Sequence, residues 1–288
     1  MLTFQTAQDR LLIQKKINML LVAEPGKGKT FSARFLDAAT TLFMDCEAGT
    51  LSLEKSKDFP AWQGTTMSIQ KMSQEHNIHP WLVCKAIASL LHGPDLSDED
   101  GSYGTASYQS ALQHLAGGNP DLFAQFQTIF VDSLSVVSRW AFHWACQQDE
   151  CISDKTGKLD KRGAYGLMGT ELVKWATILQ HQPKNIILSC ILQQEEDDFG
   201  RKSWGLQVEG QQAAKKIPGI FDLVTTLAHV DFGAEHGGEH RVFVTQENNP
   251  HGYPAKDRSG VLEPYEQTDL GALISKIQNF QSKTQQGA

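Results

Sequence analysis

Short apolar runs alternate with stretches of helical period along most of the chain. Residues 17–22, 41–44, 128–131, 186–192, 223–230 and 241–245 are continuous enough in aliphatic and aromatic side chains to form buried strands. Between the first four lie segments of helical pattern at 29–39, 81–91, 134–146 and 165–181. Strands that alternate with helices in this order predict an α/β fold with a mostly parallel central sheet flanked by helices. The last two strands are separated only by the turn-rich segment 231–238, which predicts an antiparallel hairpin at one edge. A helix over 268–280 closes the domain. Residues 59–127 are long and mixed and read as an insertion of short helices. The whole is one domain over 1–280, and the polar residues 281–288 form a flexible tail.

Composition narrows the class without choosing a function. The 288 residues are 40% hydrophobic and 20% charged, an ordinary globular profile. No apolar run approaches the roughly 18 residues of a membrane helix. The start, Met1-Leu2-Thr3-Phe4-Gln5, has no signal-peptide pattern. Cys46, Cys84, Cys146, Cys151 and Cys190 are scattered without a C-x-x-C pair, so reduced thiols and a cytoplasmic location are expected, and a zinc site is not. The net charge of −7 argues against a broad basic surface for nucleic acid, but a local basic loop or a subunit interface could supply one. Acidity gathers at 95–100 and 195–198, both read as solvated loops.

The chemistry starts at Ala23-Glu24-Pro25-Gly26-Lys27-Gly28-Lys29-Thr30. This departs from the phosphate-loop template G-x-x-x-x-G-K-[ST] only at Ala23. An apolar strand precedes it and a helical segment follows, so Glu24, Pro25, Gly26, Lys27, Gly28, Lys29, Thr30 and Phe31 would aim backbone N–H groups at an anion. Lys29 would reach the β- and γ-phosphates of ATP, and Thr30 would hold Mg²⁺.

Four further features narrow the reading. Ile129-Phe130-Val131-Asp132 is an apolar strand ending in a carboxylate, which suits Asp132 to the metal. Leu42-Phe43-Met44-Asp45-Cys46-Glu47 ends in two spaced carboxylates at the edge where parallel strands meet their ligands, so Glu47 could polarise the attacking water. Gln193 and Gln194 end the strand over 186–192, where either amide could sense the γ-phosphate. Pro254-Ala255-Lys256-Asp257-Arg258 puts two cations on a tight turn, and such cations supplied across a subunit boundary stabilise phosphoryl transfer.

Together these motifs resemble the RecA-like ATPase core. They are most similar to the phage-encoded single-domain RecA-like ATPases grouped with single-strand annealing proteins, over about residues 15–280. The resemblance implies that Glu47 is the catalytic glutamate, that Asp132 serves the metal, and that Lys256 and Arg258 reach ATP on a neighbouring subunit of a filament or ring. It also implies two loops for single-stranded DNA. The first spans 153–163 and carries Lys155, Lys158, Lys161 and Arg162; the second spans 195–216 and carries Arg201, Lys202 and Trp204, whose indole could stack on a base. The function expected on this basis is a DNA-dependent ATPase in phage or prophage recombination, in the bacterial host cytoplasm. Two other classes stay open: a ring-forming helicase or helicase-loading motor, and a nucleotide-dependent protein switch.

Overall fold

The structure is a computed structural model. It describes residues 16–98, 101–153, 157–196, 199–200 and 202–286, without the side chains of 236 and 281–286. The expected alternation is present. Strands β1 (Asn18–Ala23), β2 (Thr41–Asp45), β3 (Thr65–Ser68), β4 (Thr128–Asp132), β5 (Asn185–Glu196) and β7 (Leu223–Asp231) lie parallel in the order β7-β1-β5-β4-β2-β3. The hairpin partner β8 (Glu239–Val244) and then β10 (Tyr265–Gln267) extend the β7 edge antiparallel. Two short strands sit off this path, β6 (Lys202–Leu206) on β5 and β9 (Lys256–Asp257) on β7, giving a ten-stranded sheet.

Both faces of the sheet are buried, which is why its central strands read as continuous apolar runs. Successive side chains of a strand point to opposite faces. Leu20, Val22, Leu42, Met44, Ile129 and Val131 therefore pack one way. They meet helices α3 (Pro80–His92), α5 (Leu134–Ala145), α6 (Lys161–Gln180) and α7 (Gln211–Ile220). Met19, Leu21, Phe43, Phe130 and Ile187 pack the other way, against Leu270, Leu273, Ile274 and Ile277 of α8 (Leu270–Gln286). Phe43 and Phe130 stack across adjacent strands at 5.3 Å.

Several expectations are corrected. The helix after the phosphate loop is not 29–39; α1 covers only Lys29–Ser32 and a 3₁₀ turn follows over Ala33–Phe35. Two causes are visible. The Ser32 hydroxyl competes for the Lys29 carbonyl, donating to it at 2.5 Å. The first turn of α8 also docks on the Phe35 carbonyl, where only glycine fits: a Cβ on Gly271 would lie 2.2 Å from that oxygen. The insertion 59–127 is not only helical. Beside α2 (Ile69–His76), α3 and α4 (Thr105–His114) it supplies β3, which pairs with β2 at the sheet edge. Its sequence Thr65-Thr66-Met67-Ser68 is half exposed, so it carries no apolar signal. Nor is 195–216 a loop: β5 runs on to Glu196, β6 folds back on it, and α7 follows. Helix α8 continues past the expected end at 280 to Gln286. Among the described residues no helix is long and apolar enough to cross a membrane.

Candidate functional site

Parallel register brings the C-terminal ends of the inner strands level. Ala23 of β1 pairs with Ile191 of β5, and Asp45 of β2 pairs with Asp132 of β4. The glycine-rich loop leaves this edge directly after Ala23. Gly26 and Gly28 adopt left-handed φ of +76° and +98°, which side chains other than glycine rarely adopt. Gly28 is the N-cap of α1, and its carbonyl accepts the Ser32 N–H at 3.0 Å. Lys29 is buried, and its ammonium donates to the carbonyls of Ala23 and Glu24 at 3.2 and 3.3 Å. Burial lowers its pKa from the ordinary lysine value, while the carboxylates of Asp132 and Glu47 oppose that shift.

Asp132 is 1% exposed and held from two sides. Thr30 Oγ1 donates to Oδ2 at 2.5 Å, and Ser189 of β5 donates to Oδ1. Burial raises the Asp132 carboxyl above its usual range, and those two hydrogen bonds pull the other way. The peptide from Asp132 to Ser133 is cis, and Ser133 Oγ donates to Glu47 Oε1. The two carboxylates after β2 thus separate by environment. Asp45 is buried and accepts the N–H groups of Glu47 and Gly49 at 3.1 and 3.4 Å, so it shapes the turn. Glu47 is exposed and faces Ser133.

The structure therefore gathers Lys29, Thr30, Asp132 and Glu47. Among the described residues no contact joins Gln193, Gln194, Lys256 or Arg258 to them. Gln193 and Gln194 stand exposed on the extended β5, and the Gln193 amide donates to Glu195 Oε1 at 3.4 Å. Lys256 and Arg258 sit at the opposite edge of the sheet. Lys256 lies opposite Val224 near the start of β7 and donates to the Pro218 carbonyl at 2.6 Å. Arg258 pairs with Asp222 at 3.2 Å, and the Asp222 N–H is bonded to the Asn18 carbonyl at the first residue of β1.

For the expected DNA residues, Lys155 and Arg201 lie outside the described residues. Lys158 is exposed on a small turn closed by the Ile152–Leu159 bridge. Lys161 and Arg162 are exposed in the first turn of α6, where Asp160 caps the Arg162 N–H. Lys202 is exposed at the start of β6. Trp204 departs from expectation: its indole N–H donates to the His251 carbonyl at 3.1 Å and its ring packs on Tyr253 at 5.1 Å, so it is already engaged within the chain.

Sequence reasoning missed Ser133, Ser189, Cys190, His229 and Arg241. Ser133 could have been found, since it follows Asp132. Ser189 and Cys190 lie inside an apolar run and give no local signal. Cys190 Sγ is 3.4 Å from Ser135 Oγ, and burial pushes its thiol up to about 12. His229 and Arg241 face each other across β7 and β8 and lean on the phosphate loop from the edge hairpin.

A glycine-rich loop between a buried strand and a helix, with its Lys and Thr beside a strand-ending Asp, defines a P-loop nucleotide-binding protein. Comparison agrees: the AAA domain family matches residues 15–259, and the chain belongs to that family of P-loop ATPases. No curated protein matches the sequence. Among solved structures, the flagellar accessory protein FlaH from Methanocaldococcus jannaschii is similar at 10% identity, with 87% of each chain covered and a TM-score of 0.36.

Proposed function

We propose that this chain is a magnesium-dependent ATPase whose turnover is coupled to single-stranded DNA, working as a homo-oligomer in phage or prophage recombination. The observation that carries the ATPase reading is the convergence of Lys29, the Thr30–Asp132 hydrogen bond and the Ser133–Glu47 hydrogen bond at one sheet edge. In this reading the backbone from Glu24 to Phe31 cradles the phosphates and Lys29 neutralises their charge. Thr30 and Asp132 would hold Mg²⁺, which needs only one or two protein ligands beside phosphate oxygens and waters. When bound, the ion would neutralise charge on the phosphates. Their fit rests on a buried carboxylate already hydrogen-bonded to the loop hydroxyl. Glu47 orients and deprotonates the attacking water, and Ser133 fixes its carboxylate. Gln193 or Gln194 links the phosphate end of β5 to the hairpin that it forms with β6.

The DNA part rests on Lys158, Lys161, Arg162 and Lys202. Arg162 also borders a groove of about 750 Å³ between α6 and α7, lined by Tyr165, Gly166, Gly169, Gly210 and Lys216. A groove that combines cations with an aromatic ring suits a single strand. One observation favours the protein-switch reading instead: Glu195 and Glu196 are exposed on the same hairpin and would repel phosphates.

The ATPase rate with and without single-stranded DNA decides between them. Stimulation supports the coupled reading; an unchanged rate favours the switch. Lys161→Ala with Arg162→Ala is expected to weaken single-strand binding and flatten its salt dependence, the log–log slope falling by roughly 0.7 per lost phosphate contact. A slope equal to the parent's removes this helix start from the DNA surface.

A further inference from the structure

The β7–β8 hairpin reaches past the sheet edge and touches the phosphate loop at two points. On one side Lys27 Nζ lies 3.4 Å from His229 Nδ1. On the other the Arg241 guanidinium lies against Gly28: a Cβ built there would be 2.9 Å from Arg241 Nη1. The same guanidinium covers the Phe31 ring at 5.3 Å. Gly28 thus does two things, adopting a left-handed φ and letting a cation approach the loop.

A structural clamp would be the simpler role, and Arg34 shows what that looks like. It lies over the same Phe31 ring at 5.5 Å, and its guanidinium is used up by the carbonyls of Ser52, Pro60 and Glu54. Among the described residues Arg241 makes no such bond and pairs with no carboxylate. Burial alone lowers its pKa, with no acidic group offsetting it. A half-buried guanidinium without a counter-charge is costly unless an anion completes it. Its planar fork matches phosphate oxygens in pairs. It also stands beside the glycine that immediately precedes Lys29 and Thr30.

We propose that Arg241 is a phosphate-binding residue supplied in cis by the edge hairpin, its guanidinium contacting the phosphate chain of the nucleotide held by the loop. This rests on the nucleotide reading of the site given above. The Phe31 ring backs the guanidinium at 5.3 Å, and the β7–β8 pairing sets its position. It is a second cation for the same anion, distinct from Lys29 and from the distant Lys256 and Arg258.

The test is equilibrium binding of ADP to the full chain with Mg²⁺, by titration calorimetry. Parent, Arg241→Ala, Arg241→Gln and Arg241→Lys are compared. A charged hydrogen-bonded contact predicts that Ala and Gln raise the Kd about tenfold to a hundredfold, while Lys raises it less. The order of Gln and Lys separates charge from packing, since a neutral amide keeps a polar side chain beside Phe31 and loses the charge. A Gln variant that binds like the parent overturns the inference, as does an Ala variant within about twofold, too small for a charged contact. If Arg241→Ala does not fold, the Gln and Lys variants carry the same comparison. A parent that binds no ADP overturns the nucleotide reading itself and this inference with it. A parent that binds ADP equally to Arg241→Gln overturns this inference alone.

Discussion

Glu47→Gln is expected to bind ATP like the parent and to hydrolyse it about 10²–10⁴ times more slowly. The argument is one of shape against charge. Ser133 Oγ donates to Glu47 Oε1, and a glutamine carbonyl accepts the same bond. The side chain therefore keeps its place while losing the ability to take a proton. Its exposure means that no buried packing is disturbed. Asp45, the neighbouring carboxylate, is expected to behave differently. It is 7% exposed and accepts two backbone N–H groups of the turn, so Asp45→Ala should lower stability before it alters chemistry. Single-turnover hydrolysis and a separate ATP-binding titration make the check. Hydrolysis by Glu47→Gln within about threefold of the parent, well under the range for a general base, removes Glu47 from that role.

How much of this was legible beforehand follows from how local each signal is. The phosphate loop is contiguous, so its glycines, Lys29 and Thr30 could be named from sequence, as could Asp132 at the end of an apolar strand. The distinction between Asp45 and Glu47 lies in the folded turn, where one carboxylate is occupied by backbone amides. Strand β3 was invisible because an exposed edge strand needs no apolar face. The shortness of α1 has no local signal, because the docking of Gly271 on Phe35 comes from the far end of the chain. Arg241 is the sharpest case. In the sequence Glu239-His240-Arg241 is an ordinary polar strand start. Only the pairing of β8 with β7, and of β7 with β1, carries it to Gly28. Residues that act through topology leave no mark in a window of sequence.

The same topology bears on Lys256 and Arg258, and here the expected effect is larger still. Arg258→Ala is expected to lower ATP hydrolysis by about 10³–10⁵, as loss of an arginine finger does, and the loss should be complemented by a second subunit type. Within one chain Arg258 cannot serve its own loop. It lies by Asp222 at the start of β7, whereas the loop leaves the far end of β1. Its pairing with Asp222 does not explain it either. The two side chains are 52% and 42% exposed, and an ion pair so exposed contributes under about 1 kcal/mol. If that pair and the bond from Arg258 Nη2 to the Gly219 carbonyl were its whole role, Arg258→Ala would be nearly as active as the parent. Lys29→Ala supplies the complementary defect, a damaged loop with an intact Arg258. Neither variant alone should hydrolyse ATP. Mixed, some interfaces join an intact loop to an intact Arg258, and hydrolysis should partly return. An Arg258→Ala chain with parental activity marks the residue as surface decoration. An inactive variant that does not recover on mixing places its role in assembly, and the shared site fails. Lys256 is the internal control. Its ammonium serves the Pro218 carbonyl at 2.6 Å, as Arg258 Nη2 serves the neighbouring Gly219 carbonyl at 3.3 Å, so both alanine variants should loosen α7 and lower the unfolding temperature, and only Arg258→Ala should lose hydrolysis beyond that shared effect.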